Sequence, residues 1–123
     1  MNSKVFMVIR ILLGLFVLAF GINKFYSFIP MDAPTGEAGA YFAALMSAKT
    51  ITLVAVVEIV AGLSLILNKY GALMALILMS VSINALLFHA ILAPSDILGA
   101  IILTVLNIVV LYGYKDKYAA LLK

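Results

Sequence analysis

The chain has no cysteine, no tryptophan and only one histidine. Without cysteine it cannot form disulfides, perform thiol redox chemistry, or hold zinc or an iron–sulfur cluster through thiolates. One histidine cannot provide both axial ligands of a bis-histidine haem. There is also no phosphate-binding loop, nucleophile elbow or Rossmann glycine pattern. We therefore predict no metal site and no resident cofactor. The one cofactor that remains compatible with the sequence is a bound quinone.

Charged residues are also scarce: they make up 11% of the 123 residues, whereas soluble domains have about 25%. Apolar residues make up 67%, and the mean hydropathy is +1.27. A soluble domain of this length could not bury so much apolar surface. The composition excludes a soluble enzyme, a disordered chain and a nucleic-acid-binding module. The net charge of +3 requires no acidic partner, because lysines commonly mark the cytoplasmic ends of membrane helices.

Four apolar runs have the length needed to cross a bilayer. The predicted spans are residues 5–25, 51–67, 70–92 and 97–114. The second span contains Glu58 but also eleven Leu, Ile or Val residues. These residues favour insertion by roughly −5 kcal/mol, against a cost of about +3 kcal/mol for the carboxylate. Insertion is therefore still favoured, with help from neighbouring helices.

The connection between the first two spans is long, and its residues 37–49 have the pattern of a short helix with Tyr41 and Phe42 among its apolar residues. Because it is too short to cross the bilayer, we expect it to lie at the interface or over the mouth of the bundle. The predicted fold is an all-α integral membrane protein: one membrane domain, residues 1–123, with four transmembrane helices and this interfacial helix. A cleaved signal peptide is the alternative reading of the first run, but that run is long enough to span.

The distribution of lysine and arginine predicts the topology. Four spans place both termini on one side, and that side has six positive residues against two on the other. The positive-inside rule then puts both termini in the cytoplasm.

Polar residues inside the spans are the candidates for function, because each costs free energy unless it is satisfied. In the first span, Arg10, Gly14, Val17, Gly21 and Lys24 share one helix face. The glycines allow close helix packing, and the two cations can extend towards opposite interfaces. This stripe is read either as a packing seam or as part of a binding site.

Glu58 lies at the centre of its span, where its carboxylate cannot reach water. It must be paired with a cation, or be protonated and hydrogen-bonded. We expect an ion pair with Arg10, whose long side chain and planar fork suit a carboxylate. Lys24 is expected to start too far towards the outside. The alternatives are a purely structural pair that fixes helix register and a functional, protonatable group.

If each helix is centred in the bilayer, every span contributes one polar group to a central layer. Asn84 and Asn107 then join Arg10 and Glu58 there, and each is read either as glue between helices or as a ligand contact. His89 is expected closer to the outside, at the depth of Lys24. The candidate binding residues are Arg10, Lys24, Glu58, Asn84, His89 and Asn107.

These residues carry a resemblance to a known family. The run from Arg10 to Phe25, with its Gly14, Gly21 and Lys24, resembles the opening signature of the DoxX family. The segment Val56-Val-Glu58-Ile-Val-Ala-Gly62-Leu is similar to that family's second-helix motif. Two further segments also fit a bacterial branch of the family: Asn84-Ala-Leu-Leu-Phe88-His89 and Tyr114-Lys-Asp-Lys-Tyr118.

The resemblance implies a bacterial inner-membrane protein with four helices. The family takes its name from subunits associated with a quinone-linked thiosulfate oxidation system. Other members are connected with membrane oxidoreductase assemblies that handle oxidative or sulfur stress. Because this chain has no cysteine for sulfur transfer, a sulfur role would need a partner.

Two functions are compatible with these observations. In the first, a small subunit binds a quinone or another lipid-soluble molecule and supports a membrane oxidoreductase or oxidative-stress assembly. His89, Lys24 and Asn84, below Tyr41 and Phe42, would bind the head group at the outer side. In the second, the chain is a non-redox small transporter, lipid-binding module or scaffold with a membrane-embedded carboxylate. Expected partners are the lipid bilayer, further copies of the chain or an oxidoreductase subunit; no nucleic acid is expected.

Overall fold

The computed structural model describes the whole chain, Met1–Lys123. It contains five α-helices: α1 (Ser3–Phe25), α2 (Gly36–Ser47), α3 (Thr50–Leu67), α4 (Gly71–Leu92) and α5 (Ile97–Gly113). A 3₁₀ turn, Pro94–Asp96, precedes α5, and a C-terminal 3₁₀ segment, Lys115–Leu122, follows it. There are no strands.

Four of these helices are long and apolar enough to cross a membrane: α1, α3, α4 and α5, the last counted from Pro94. They coincide with the four predicted spans to within a few residues. The short helix predicted at residues 37–49 is observed as α2, Gly36–Ser47. The chain is therefore an all-α, multi-pass membrane protein in contact with the lipid bilayer.

The four long helices form a ring in which α1 contacts α3 and α5, and α4 contacts the same two helices. We call the end of the bundle that carries both chain termini and the α3–α4 connection the terminal end. The opposite end is the loop end, where α2 lies against α3 and α4. The α3–α4 connection is tight because Asn68 and Tyr70 both adopt left-handed backbone conformations, with φ of 53° and 58°.

The core lies along the bundle axis. Its fully buried larger apolar side chains come from all four long helices: Leu13, Val17, Leu65, Leu78 and Val110. Most other large apolar side chains of the long helices are exposed on the outside of the bundle, as expected where lipid replaces water. The buried face of α4 consists mostly of small residues: Gly71, Ala75, Leu78 and Ser82.

Candidate functional site

The closest helix contact in the bundle is the antiparallel α1–α3 seam. A Cβ atom placed on Gly14 would lie 2.9 Å from the carbonyl oxygen of Gly62, and one placed on Gly62 would lie 2.8 Å from the carbonyl oxygen of Gly14. Further along, a Cβ on Gly21 would lie 3.0 Å from the Cβ of Glu58. The close packing predicted from the glycines of the α1 stripe is therefore confirmed. The two cations of the stripe, however, bond to α3 instead of extending freely towards opposite interfaces.

This seam carries an ion pair between Lys24 and Glu58. The Lys24 Nζ donates to Glu58 Oε1 at 2.6 Å, and the two side chains are 25% and 5% exposed, respectively. A second, longer hydrogen bond runs from Lys24 Nζ to the carbonyl of Phe20 at 3.4 Å. Because an ammonium group has three donors, one N–H of Lys24 remains available for another acceptor.

The predicted pairing of Glu58 with Arg10 is wrong. The guanidinium of Arg10 instead donates to the carbonyl oxygens of Leu65 and Ile66, the latter at 3.3 Å. These carbonyls belong to the last turn of α3, which lacks helical partners and carries the negative end of the helix dipole. Arg10 thus caps the C-terminal end of α3.

Helix register and side-chain direction explain why Lys24 is the partner. With Gly14 level with Gly62, Glu58 lies about 9 Å along the axis from Lys24 and about 12 Å from Arg10. Helical side chains lean towards the N-terminus of their own helix. In this antiparallel pair, Lys24 and Glu58 lean towards each other, whereas Arg10 leans away. The side-chain direction was a signal available in the sequence.

A cavity opens beside the ion pair at the loop end, between α1, the end of α2 and the start of α3. Its volume is about 140 Å³. Two lysines, one threonine and four apolar residues line it: Lys24, Phe25, Met46, Lys49, Ile51, Thr52 and Ala55. Lys49 and Thr52 were not predicted as site residues. They follow the interfacial helix, and only the fold shows that this stretch returns to the end of α1.

The remaining candidates do not join this site, so the predicted single polar layer is absent. Asn107 is fully buried between α4 and α5, where it accepts from the Ser82 hydroxyl at 2.7 Å and donates to the Ala75 carbonyl at 3.1 Å. Asn84 lies on the outside of α4 and donates to the Ser80 carbonyl at 2.9 Å. Asn107 therefore links two helices by hydrogen bonds, whereas Asn84 makes no hydrogen bond to another helix of the chain.

His89 is half-buried near the loop end of α4, with its Nδ1 3.3 Å from the Ala93 carbonyl. It is part of an aromatic cluster in which Tyr41 of α2 stacks on Phe88 at 5.5 Å, with Phe42 at 5.8 Å. His89, Lys24 and Asn84 have separate partners, so they do not form the three-residue head-group site expected from the sequence.

The terminal end is closed by two tyrosines that lie beyond α5. The Tyr114 hydroxyl donates to Asn68 Oδ1 at 2.7 Å, and the Tyr118 hydroxyl donates to the Ala72 carbonyl at 2.6 Å. Burial raises the pKa of Tyr114, and burial with the neighbouring Tyr114 raises the pKa of Tyr118 to about 12. These contacts fasten the C-terminal segment to the α3–α4 connection and offer no open site.

Comparison with known proteins gives one family. The family model of DoxX matches residues 5–90, which include α1 to α3 and most of α4. No curated protein and no solved structure matches the chain. The matched region contains three of the four segments on which the resemblance rests, with Arg10, Lys24, Glu58, Asn84 and His89. On this match, which covers well over half of its length, the chain belongs to the DoxX family.

Proposed function

We propose that the loop-end cavity binds the ring of a quinone or a similar lipid-soluble molecule, and that the chain supports a partner oxidoreductase in the membrane. The observation that carries the proposal is a ring-sized cavity whose wall includes Lys24, the cation of the Lys24–Glu58 ion pair. A cavity of about 150 Å³ is known to hold benzene, and this one is about 140 Å³.

The chemistry of the wall suits a ring with carbonyl oxygens. Such a head group needs an apolar slot and a few hydrogen-bond donors. Phe25, Met46 and Ile51 provide apolar surface, while the Lys24 ammonium and the Thr52 hydroxyl provide donors. Glu58 positions the Lys24 ammonium through the ion pair of 2.6 Å. In this proposal the partner oxidoreductase supplies the electrons.

A photoreactive quinone analogue tests the proposal on the purified protein in lipid vesicles. We expect labelling of peptides that contain residues 46–55, competed by unmodified quinone. Thr52→Phe should obstruct the cavity and abolish the labelling. Leu53→Phe is the matched control, because Leu53 is the next residue on α3, is 63% exposed and does not line the cavity. Equal labelling of both variants would contradict the proposal.

A second candidate function is lipid binding without redox chemistry. It is favoured by the two lysines, Lys24 and Lys49, which face one cavity at the end of the bundle and suit the phosphate of a phospholipid head group. Mass spectrometry of small molecules that copurify with the protein separates the two candidates. A retained quinone supports the first, and a retained phospholipid that Thr52→Phe displaces supports the second.

We also propose that the protein lies in a bacterial inner membrane with both termini in the cytoplasm. The terminal end carries six Lys or Arg residues, against two at the loop end: Lys4, Arg10, Lys69, Lys115, Lys117 and Lys123 against Lys24 and Lys49. Alkaline phosphatase fused after Lys123 should be inactive, and fused within residues 27–35 it should be active. The reverse pattern would contradict this orientation.

A further inference from the structure

The exposed face of α4 differs from the exposed faces of the other spans. Near the middle of α1, α3 and α5 the exposed side chains are apolar, for example Leu15, Val60 and Val105. On α4, by contrast, Ser80 and Asn84 are exposed. Asn84 lies only about 4 Å along the axis from the midpoint of its helix. Its carboxamide therefore faces the hydrocarbon core of the bilayer.

The hydrogen-bonding capacity of Asn84 is largely unused within the chain. One N–H of its Nδ2 donates to the Ser80 carbonyl of the preceding turn at 2.9 Å. Its other N–H and its Oδ1 have no partner among the chain's hydrogen bonds, and the Ser80 hydroxyl is already bonded to the Ile77 carbonyl at 2.7 Å. Polar groups without hydrogen-bond partners cost free energy in lipid. This cost favours a hydrogen-bond partner for the carboxamide from another molecule.

The residues around Asn84 follow a coiled-coil pattern on the same exposed face. Six exposed positions recur at spacings of four and three: Leu73, Ile77, Ser80, Asn84, Leu87 and Ile91. Read as heptads, the a positions are Ile77, Asn84 and Ile91, and the d positions are Leu73, Ser80 and Leu87. Isoleucine at a with leucine at d favours two parallel strands, and one asparagine at an a position fixes register and strand number.

We propose that this α4 face pairs with the same face of a second copy of the chain, giving a parallel dimer with Asn84 against Asn84 across the twofold axis. A second copy fits better than an unrelated helix for two reasons. A carboxamide is both donor and acceptor, so two related by a twofold axis can form reciprocal bonds, and copies inserted with the same topology are parallel. Ser80 at a d position keeps the helices close.

The dimer and the loop-end cavity are separate features. No residue of α4 lines the cavity, so pairing through α4 leaves the cavity open in each copy. The dimer proposal therefore does not depend on the quinone proposal, and either can fail without the other.

The absence of cysteine makes the pairing directly testable, because one introduced cysteine per chain can link only to a second chain. In lipid vesicles with an oxidant, Leu73→Cys and Leu87→Cys should give disulfide-linked dimers. Ile101→Cys is the control: it is 42% exposed on apolar α5 and lies in the same half of the bilayer as Leu87. Linking of Ile101→Cys as fast as Leu87→Cys, or no linking at either α4 position, overturns the proposal.

Asn84 itself is tested by energy transfer between donor- and acceptor-labelled copies diluted in lipid. Loss of two interhelical hydrogen bonds in Asn84→Leu should weaken pairing about tenfold, whereas Asn84→Gln keeps the carboxamide and should retain most of it. Since Asn84 is exposed and makes no hydrogen bond to another helix, the thermal stability of the monomer in detergent should change little. Pairing of Asn84→Leu as strong as that of the unmodified chain overturns the proposal, as does linking of Leu87→Cys in native membranes to a different protein only.

Discussion

The α1–α3 and α4–α5 seams are both tight helix contacts, but they satisfy their polar groups in different ways. The α1–α3 seam carries full charges: Lys24 with Glu58, and Arg10 on the last carbonyls of α3. The α4–α5 seam is neutral and is held by hydrogen bonds of Ser82 and Asn107. The charged seam reaches the cavity at the loop end, whereas the neutral bonds are fully enclosed. The charged seam is therefore the one that borders an opening, whereas the neutral seam is closed to ligands.

The largest effect should come from breaking the ion pair of the charged seam. Lys24→Met leaves Glu58 buried without a partner and should lower the free energy of unfolding by about 3 kcal/mol. The double variant Lys24→Met, Glu58→Gln should recover part of that stability, because it no longer contains an unpaired buried carboxylate. Unfolding titrations in mixed detergent measure each variant of the cycle.

Arg10→Gln is the control for that cycle, because Arg10 is a cation on the same face of α1 but binds the end of α3. The decrease in the free energy of unfolding caused by Arg10→Gln should simply add to the decrease caused by Glu58→Gln, because the two side chains do not interact. Strict additivity between Lys24→Met and Glu58→Gln would show that the two residues do not interact.

The next largest effect should come from the glycines that let the charged seam close. Gly62→Ala places a methyl group 2.8 Å from a backbone oxygen of α1, so the helices must separate. Overpacking of this kind costs about 1–3 kcal/mol. Gly99→Ala is the matched control, since a Cβ at Gly99 meets nothing within 4 Å. A shift in melting temperature as large for Gly99→Ala as for Gly62→Ala would refute this reading.

The neutral seam should respond less to the loss of its hydrogen bonds. Ser82→Ala removes the hydroxyl that donates to Asn107 but leaves the amide bonded to the Ala75 carbonyl. Interhelical hydrogen bonds in membranes contribute about 0.6 kcal/mol on average, so a loss of about that size is expected. The same detergent titration measures it. If Ser82→Ala lowered the free energy of unfolding as much as Lys24→Met, the two seams would not differ in the way proposed.

The smallest effect concerns the terminal end, outside both seams. Tyr118→Phe removes the hydrogen bond to the Ala72 carbonyl and should lower the free energy of unfolding by about 0.5 kcal/mol at neutral pH, the lower end of the range for one hydrogen bond. The pKa of Tyr118 is raised to about 12 in the folded chain. The stabilisation of the fold by the protonated Tyr118 hydroxyl should therefore be complete below about pH 10 and should be lost as the pH rises towards 12.

Melting temperatures of the unmodified chain and Tyr118→Phe, compared from neutral pH to pH 12, measure this contribution. Their difference should be constant at first and should shrink above about pH 10. A difference that grows in that range would mean that the pKa of Tyr118 is lowered by folding.

The number of spans, the α2 helix and the packing face of α1 could be predicted from the sequence. Apolar runs of bilayer length leave few alternatives, because every backbone polar group in lipid must be satisfied within a helix. The glycines of the α1 stripe likewise predicted a close helix contact, and the fold confirms it. These features follow from local composition and helical periodicity, which need no knowledge of neighbouring helices.

Which polar groups meet, by contrast, depends on how the helices pack in the tertiary structure. Assigning depths as if each helix were centred in the bilayer joined Glu58 to Arg10, but packing at Gly14 and Gly62 sets a register that gives the carboxylate to Lys24. The cavity wall at Lys49 and Thr52, and the exposure of Asn84, likewise depend on how helices are placed around the ring. Periodicity shows that a helix has an inner face, but the azimuth and register of that face are set by contacts between helices.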